Sequence, residues 1–452
     1  MRKRDFLFLS LVGVIMLTLI ISSVVKGEKE QSIIENRALA GFPEFSLDSF
    51  LDTDYQSDLE IALTDQIIYG DRVKLFYNNI KNNNLDMMVS VLKSFEKSKP
   101  SLASGDEINT ISQSELIDME TRLERERMEK LERERIERIE ALKANGRLPD
   151  NLTFEIDITP KGSGYFQIDD TQHLIVRKRT TEDADALFES KATNYNELVE
   201  NYPELSYYSY YIETDVDIDF INGIIDHELV NLFFDKLNPS INKTALYINK
   251  PSDYAKYFYK TDHHWDVEGQ LKGYQDIIWL VKGEDEETLD IETNLIEGAI
   301  YNGSKSRTIS DFNTYDDFSV LTSELPHHEV YINGAKSSYG SKSRYVEGRF
   351  SKEKGVNHYG IANGGDFGLV EYRFNQPDKE NMLVFVESFS NPINEFIASH
   401  FNNTYLVDLR YYEKAYDKKF DFGDFVESND IDNVLFTGYY FFYANDVFLI
   451  KD

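Results

Sequence analysis

Lys260-Thr-Asp-His-His-Trp-Asp266 is the stretch around which this chain of 452 residues is organised. It holds two of the eight histidines and one of the two tryptophans of the chain, with an acid on either side of them. An Asp and a His two positions apart on a turn can converge on one point, where the acid orients the imidazole and the imidazole acts as a base near neutral pH. The stretch therefore predicts an acid–base pair.

The nucleophile that such a pair needs is predicted far downstream. Met382-Leu-Val-Phe-Val386 is an apolar run typical of a buried strand, and Glu387-Ser-Phe-Ser-Asn391 follows it directly. A turn at this point can present the Ser388 hydroxyl at the carboxyl edge of a sheet. Together these residues predict an Asp/His/Ser set, although a serine with only a structural role in the turn is the alternative for Ser388 alone.

Several motifs resemble those of a known family. Phe258-Tyr-Lys-Thr-Asp-His-His-Trp265, with Val267 and Gly269 after it, resembles the signature of the bacterial DHHW family, which is related to the SGNH-hydrolase-like domains of alginate O-acetylation proteins. Further matching patterns are Glu35-Asn-Arg-Ala-Leu39 with Phe42-Pro43, Thr64-Asp65-Gln66 with Gly70-Asp71-Arg72, and Val407-Asp-Leu-Arg410-Tyr411. The resemblance covers most of the chain outside residues 95 to 150. One departure is Glu387, where the family usually has Asp.

The resemblance implies roles for the residues of the set. Its Asp-x-His spacing selects His264 over His263, so Ser388 is expected to be the nucleophile, His264 its base and Asp262 the orienting acid. The Asp/His pair precedes the Ser, an order that the family's circularly permuted SGNH-hydrolase-like topology implies and that places no limit on the chemistry. The backbone N–H of Phe389 is available for an oxyanion hole.

Three further side chains are candidates for binding substrate or an oxyanion, each with a structural alternative. Arg410 can bind an oxyanion or a polysaccharide carboxylate, or it can pair with Asp408. Trp265 can stack on a sugar or pack in the core. Asn363 can donate to an oxyanion, or it can belong to a turn with Gly364-Gly365-Asp366.

Two other interpretations compete for Asp262, His263 and His264: a purely structural polar turn, and a metal site with Glu268 nearby. Adjacent histidines point in different directions on a regular backbone, and no other His/Glu cluster has the spacing of a zinc site. The absence of cysteine also excludes Cys-ligated zinc, thiol nucleophiles and disulfides. We therefore expect neither a metal nor a cofactor.

The first 27 residues predict a membrane anchor. Met1-Arg-Lys-Arg4 precedes an apolar run from Phe6 to Val25, and about 20 such residues cross ~30 Å of hydrocarbon as a helix. Ile21-Ser-Ser-Val-Val-Lys26 offers no small-x-small cleavage site, which favours an uncleaved anchor over a signal peptide. The basic residues place the N-terminus in the cytoplasm and the body outside, as a single-pass protein of the cell membrane, on a Gram-positive cell surface.

The rest of the chain divides into three parts. Residues 28–111 predict a helical stem and linker, with two helices between 46 and 84. Residues 112–148 predict one long charged helix, rich in Glu and Arg, whose irregular apolar spacing favours a solvated helix over a dimeric coiled coil. Residues 149–452 predict an α/β domain, in which strands alternate with helices around a mostly parallel sheet, interrupted by loops and hairpins over 283–360.

Charge and resemblance together predict the function. A net charge of -32 excludes nucleic acid and disfavours anionic membrane surfaces as partners. The resemblance implies an O-acetyltransferase that passes acetyl through acyl-Ser388 to cell-surface polysaccharide, with a polytopic membrane acyltransferase of the MBOAT type supplying the acetyl. An esterase with the same triad and a non-catalytic polysaccharide-binding or wall-assembly scaffold remain open.

Overall fold

The computed structural model describes residues 152–337, 350 and 352–450, together with 31–32, 37–38 and nine positions between 130 and 144. These nine positions are all helical, and all but Ile139 are exposed; the remainder of the predicted 112–148 helix lies outside the described residues, so its bounds stay a prediction. Within the described part of the chain, no helix is both long and apolar enough to cross a membrane. The predicted span 6–25 and the predicted stem helices lie outside that part.

The elements, numbered in chain order, are short strands and mostly short helices. The strands are β1 (Gln31–Ser32), β2 (Arg37–Ala38), β3 (Ile158–Gly162), β4 (Tyr165–Ile168), β5 (Leu174–Ile175), β6 (Ser206–Ile212), β7 (Asn242–Leu246), β8 (Glu292–Leu295), β9 (Ser319–Thr322), β10 (Glu329–Ile332), β11 (Ala335–Ser337), β12 (Leu369–Arg373), β13 (Met382–Phe385), β14 (Asn403–Val407) and β15 (Asn433–Tyr439). The helices are α1 (Thr181–Asn201), α2 (Glu228–Lys236), α3 (Pro251–Tyr257), α4 (Val267–Lys282), α5 (Ser304–Ile309), α6 (His358–Asn363), α7 (Asn394–Ala398), α8 (Leu409–Tyr416), α9 (Phe422–Ser428) and α10 (Tyr440–Tyr443), followed by a 3-10 turn (Asp446–Phe448).

The residues group into two compact units. The first comprises residues 1–103, 161–164 and 304–313, and in it β1 pairs antiparallel with β2. The second comprises residues 104–160, 165–303 and 314–452. It holds the main sheet and every residue of the site described below.

The main sheet has eight strands in the order β11-β10-β12-β14-β13-β15-β6-β7. The five strands from β14 to β7 run parallel to their neighbours, whereas β12, β10 and β11 pair antiparallel. This arrangement confirms the predicted α/β architecture, and the sheet itself is mixed.

Alternating side chains of the parallel strands enter two separate cores. In β13, Met382 and Val384 belong to one core and Leu383 and Phe385 to the other. Residues of α3, α4 and α7 complete the first core, and residues of α1, α2, α8, α9 and α10 complete the second. Because both faces of the sheet are covered here, β13 is a continuous apolar run, which is why it was visible in the sequence.

The antiparallel edge differs from the sequence prediction. Residues 283–360 were expected to form loops and hairpins outside the sheet, and the Asn333-Gly334 turn does join β10 to β11, with a positive φ at both residues. However, β10 also pairs with β12 and extends the main sheet. Only Val330 of β10 is buried, so the edge lacks the apolar run that marks a central strand.

Candidate active site

Ser388 lies three residues beyond β13, at the carboxyl edge of the parallel strands. The turn is held by backbone bonds: Ser390 N–H donates to Glu387 O at 3.2 Å and Ile393 N–H donates to Ser390 O at 2.9 Å. Ser388 is half-buried, whereas Glu387 and Phe389 on either side are buried. The turn therefore exposes the serine hydroxyl at an edge where α/β sheets commonly bind ligands.

The loop between α3 and α4 places the acid and the base. A β-bridge joins Phe258 to Trp265 across the base of the loop. Asp266 caps α4 by accepting hydrogen bonds from the backbone N–H groups of Glu268 and Gly269. Both ends of the loop are thus fixed, and Asp262 and His264 lie between them.

The loop is fixed from a third side by Asp316. Its carboxylate accepts the backbone N–H of Lys260 at 2.8 Å, and the backbone N–H and hydroxyl of Thr261 at 3.0 and 2.6 Å. Asp316 is buried, and burial raises its pKa to about 6, against the effect of the hydrogen bonds from Thr261. No local pattern in the sequence identified this residue.

Gly303 allows the chain to pass directly against Asp262. A Cβ at this glycine would lie 2.3 Å from the Cβ and 2.5 Å from the Cα of Asp262. The Gly303 N–H also donates to Thr261 Oγ1 at 2.9 Å. Only a residue without a side chain fits here, and its backbone N–H holds Thr261, the residue before the acid.

Asp262, His264 and Ser388 form a continuous chain of hydrogen bonds. Asp262 Oδ1 lies 2.6 Å from His264 Nδ1, and His264 Nε2 lies 2.9 Å from Ser388 Oγ. An ionised Asp262 can only accept, so it fixes the tautomer in which Nδ1 carries the proton. Nε2 is then free to accept the serine proton. The structure thus brings the three predicted side chains together.

Tyr359 is a site residue that sequence reasoning missed. Its ring stacks on the His264 imidazole, with centroids 4.0 Å apart and planes within 15°. Its hydroxyl donates to the backbone carbonyl of Ser388 at 2.8 Å. Tyr359 therefore holds the base and the nucleophile turn together, but as one of 29 tyrosines it carries no distinguishing pattern.

Comparisons with known proteins bear on the fold that carries this site. No protein-family model and no curated protein matches the sequence. The fold resembles that of PatB1. The structure of Bacillus cereus PatB1 with a sulfonyl adduct matches with a TM-score of 0.50 and 18% identity, over 64% of this chain and 98% of its own.

Two other solved structures are similar in part. A DHHW family protein from Eubacterium siraeum has a TM-score of 0.48 and 18% identity, over 64% of this chain and 95% of its own. The O-acetyltransferase domain of Pseudomonas putida AlgJ has a TM-score of 0.35 and 10% identity, over 64% and 93%. The likeness to PatB1 shows a shared fold, and a DHHW family protein is among the similar structures, as the sequence resemblance predicts.

Trp265 lies in the core and not at the surface of the site. Its side chain is 0% exposed, so the indole cannot stack on a sugar as one interpretation of the sequence proposed. Its Nε1–H donates to the Phe389 carbonyl at 2.9 Å. A side chain at Gly273 would collide with the indole ring, because a Cβ there would lie 2.4 Å from Trp265 Cζ3. Trp265 therefore joins the histidine loop, α4 and the nucleophile turn.

The two predicted oxyanion donors already have partners. Phe389 N–H points at Glu387 Oε2, at 3.3 Å. Asn363 is the last residue of α6 and is buried, and its Nδ2 donates to Tyr359 O at 3.0 Å. Gly364 and Gly365 follow with positive φ, so this segment is the turn that the sequence offered as the alternative.

Arg410 forms ion pairs with two acids. Its Nη2 lies 2.6 Å from Asp408 Oδ2 and 3.1 Å from Asp366 Oδ2. Asp366 also accepts Asn391 Nδ2 at 2.8 Å, which links the network to the turn after Ser388. Burial lowers the pKa of Arg410, but the two carboxylates more than compensate, so it lies above its usual value. The predicted Asp408–Arg410 pair is present.

His263 makes a different set of contacts from His264. Its Nδ1 lies 3.2 Å from Asp262 Oδ1, and its side chain is 32% exposed. Asp262, His263 and His264 have ligand-type atoms within 4.8 Å of one another. Both imidazoles direct Nδ1 at the same carboxylate oxygen, however, so a metal could bind there only by displacing the hydrogen bond that orients His264.

Proposed function

We propose that this protein is a membrane-anchored O-acetyltransferase that acts on cell-surface polysaccharide through an acyl-Ser388 intermediate. The observation that carries the proposal is the chain of hydrogen bonds from Asp262 through His264 to Ser388. A serine becomes a useful nucleophile when an oriented base takes its proton, and this arrangement provides one.

The first half-reaction forms the acyl-enzyme. Ser388 Oγ bonds to the carbonyl carbon of the acyl donor while its proton passes to His264 Nε2. Asp262 stabilises the imidazolium that results. The tetrahedral intermediate then breaks its bond to the leaving group, which takes the proton from His264. Phe389 N–H is the predicted donor to the oxyanion, and its bond to Glu387 is long enough to yield to a stronger acceptor.

The second half-reaction transfers the acyl group. A hydroxyl of the acceptor attacks the acyl-Ser388 carbonyl, and His264 takes the hydroxyl proton. Collapse of the second intermediate returns that proton to Ser388 Oγ and releases the acylated acceptor. Water in place of the hydroxyl would give an esterase, so access of a sugar to the site decides between the two activities.

The setting of the reaction follows from the sequence. The N-terminal anchor holds the body at the outer face of the membrane, where a polytopic MBOAT-type acyltransferase delivers acetyl. Resemblance to alginate O-acetylation proteins supports acetyl as the group and a polysaccharide as the acceptor. The order of the set, with Asp and His before Ser, supports a circularly permuted SGNH-hydrolase-like domain over residues 149–452, with the charged helix 112–148 inserted before it.

The test is acyl transfer by the full-length protein in detergent. With a chromogenic acetyl ester we expect chromophore release, and with sugar oligomers present we expect acetyl on the sugar, measured by mass spectrometry. Ser388→Ala should abolish both. Ser390→Ala is the matched control, because this neighbouring hydroxyl is buried and donates to Glu387 O at 3.1 Å. Hydrolysis without transfer would indicate an esterase, and a folded protein with no turnover would indicate a scaffold.

A further inference from the structure

The carboxyl group of Glu387 lies against the nucleophile. Its Oε2 is 3.1 Å from Ser388 Oγ and 3.3 Å from the backbone nitrogen of Phe389. The residue is 2% exposed, and its other oxygen, Oε1, is buried with no hydrogen-bond partner among the described residues. A buried anion would need more partners than this, because an unpaired charge away from water is costly.

The surroundings of Glu387 favour its neutral form. The positive charge of Arg410 acts on it, but Arg410 is already paired with Asp408 and Asp366. Burial raises the pKa of Glu387 to about 8, with the Arg410 charge and the Phe389 N–H opposing this and Asp366 adding to it. The other titratable groups whose charges act together with that of Glu387 are Tyr359, Tyr439 and Tyr443, and His264 contacts the same serine hydroxyl. Glu387 is therefore mostly protonated at neutral pH.

The charge of Glu387 decides where the serine proton goes. Ser388 Oγ has one proton and two neighbours that can accept it, His264 Nε2 at 2.9 Å and Glu387 Oε2 at 3.1 Å. An ionised Glu387 can only accept, so it competes with His264 for that proton. A neutral Glu387 can donate its own proton to Oγ, which leaves the serine proton directed at His264.

We infer that Glu387 is a positioning residue for the nucleophile: as a neutral acid it donates a hydrogen bond to Ser388 Oγ and directs the serine proton to His264, and as an anion it withdraws that proton from His264. This inference rests on the proposed function of Ser388. If Glu387 acts in this way, Ser388 becomes less reactive at alkaline pH, where Glu387 is an anion. With His264 alone as its partner, Ser388 would stay reactive there.

The experiment measures the reactivity of Ser388 without relying on any acyl substrate. The full-length protein is treated with phenylmethylsulfonyl fluoride from pH 6 to pH 10; Oγ bonds to sulfur, fluoride leaves and the proton passes to His264. Labelling of the Ser388 peptide is followed by mass spectrometry, with Ser388→Ala as the blank. We expect the wild-type rate to fall above about pH 8, as Glu387 ionises.

Glu387→Gln is the decisive variant, because its amide cannot ionise, so it adds no pH dependence whichever of its atoms faces Oγ. It should lose the alkaline fall, whereas wild type should keep about a tenth of its maximal rate one pH unit above the pKa of Glu387. Glu395→Gln is the matched control: Glu395 is also 2% exposed, but it pairs with His328 at 2.8 Å. This variant should keep the alkaline fall.

The outcomes separate the two proposals. An unchanged alkaline fall in Glu387→Gln, with Ser388 labelled, overturns the role of Glu387 and leaves the nucleophile in place. No labelling of Ser388 in the folded wild type overturns the proposed function and this inference with it. An infrared carboxyl band that disappears above about pH 8 in wild type and is missing in Glu387→Gln supports the neutral acid independently; identical carboxyl bands in the two proteins contradict it, because Asp217 titrates in the same range in both.

Discussion

Asp262, His264 and Ser388 are joined end to end, so at the scale of single residues they should act as one unit. Alanine at any of the three should lower turnover by orders of magnitude, and the Ser388/His264 double variant should lose little more than either single variant. His263→Ala is the control and should be far milder, since His263 is half-exposed and makes its close polar contact with Asp262. Steady-state rates on a chromogenic ester measure the four single variants and the double variant. A Ser388→Ala protein that still turns over would move the nucleophile elsewhere, with Ser390 the first alternative.

At the scale of elements, the histidine loop depends on the acid that holds it. Asp316→Asn would place an amide N–H₂ group against backbone N–H groups that now donate hydrogen bonds to the carboxylate. Each buried donor left unpaired costs about 1–3 kcal/mol, so we expect a lower free energy of unfolding in urea. Turnover should fall as well, because Asp262 and His264 lose their fixed position.

Asp317→Asn is the matched control for the histidine loop. Asp317 is exposed, so this variant should change neither the unfolding free energy nor the rate appreciably. If Asp316→Asn lowered stability but left turnover unchanged, the loop would be held by its two ends alone.

The elements also show what the sequence could predict. Strand β13 was predicted closely, since burial on both faces leaves a continuous apolar run. Strand β12 was missed because its alternating, partly polar sequence lies at the antiparallel edge.

The same distinction holds within the site. The Asp262-x-His264 spacing is local and was visible. Asp316, Gly303 and Tyr359 support that pair from distant parts of the chain, and only the folded contacts identify them. Trp265 was an open candidate for substrate contact because sequence alone does not show that its N–H has an internal acceptor.

At the scale of the whole molecule, buried acids should make the protein more stable at mildly acidic pH. Among the described residues, burial is the main cause of raised pKa values in six carboxyl groups: Asp217 and Glu387 to about 8, Asp266 to about 7, Asp316 and Asp408 to about 6, and Glu213 in the same direction. Their ordinary values are 3.8 for Asp and 4.5 for Glu, so the folded state holds more protons than the unfolded state between about pH 4 and pH 8. The free energy of unfolding should therefore fall as the pH rises through this window.

Lys191 opposes this fall in the free energy of unfolding only near pH 7 and above. Burial lowers its pKa to about 7, so its contribution to stability improves as the pH rises from there. We expect the urea midpoint, followed by tryptophan fluorescence, to be higher at pH 6 than at pH 8. The difference should shrink in Asp217→Asn and Glu387→Gln. A higher midpoint at pH 8 in the wild type would show that Lys191 and the surface charges dominate.

The placement of the molecule at the membrane is a separate prediction. Because basic residues precede the apolar run and no cleavage site follows it, protease added to intact protoplasts should degrade residues 28–452, and the mature protein should keep Met1 or Arg2. A cytoplasmic marker protein that survives the same treatment is the control. A soluble product beginning near Lys26 would indicate a cleaved signal peptide.

The position of β15 in the main sheet sets the order in which the nascent chain can fold. β15 follows the other strands of the main sheet in the chain, yet it lies between β13 and β6, and it pairs Asn433 with Ser206 of β6, the first of these strands in sequence. Until it arrives, β6 and β13 each present an open edge that can pair with another chain, and the tyrosine-rich β6 is suited to such association. Contacts between residues so far apart in the sequence also form slowly, because a long loop must close first. A ribosome that stops before residue 433 would therefore release an aggregating fragment and not a smaller enzyme. Longer chains would depend on chaperones until β15 is inserted between β13 and β6.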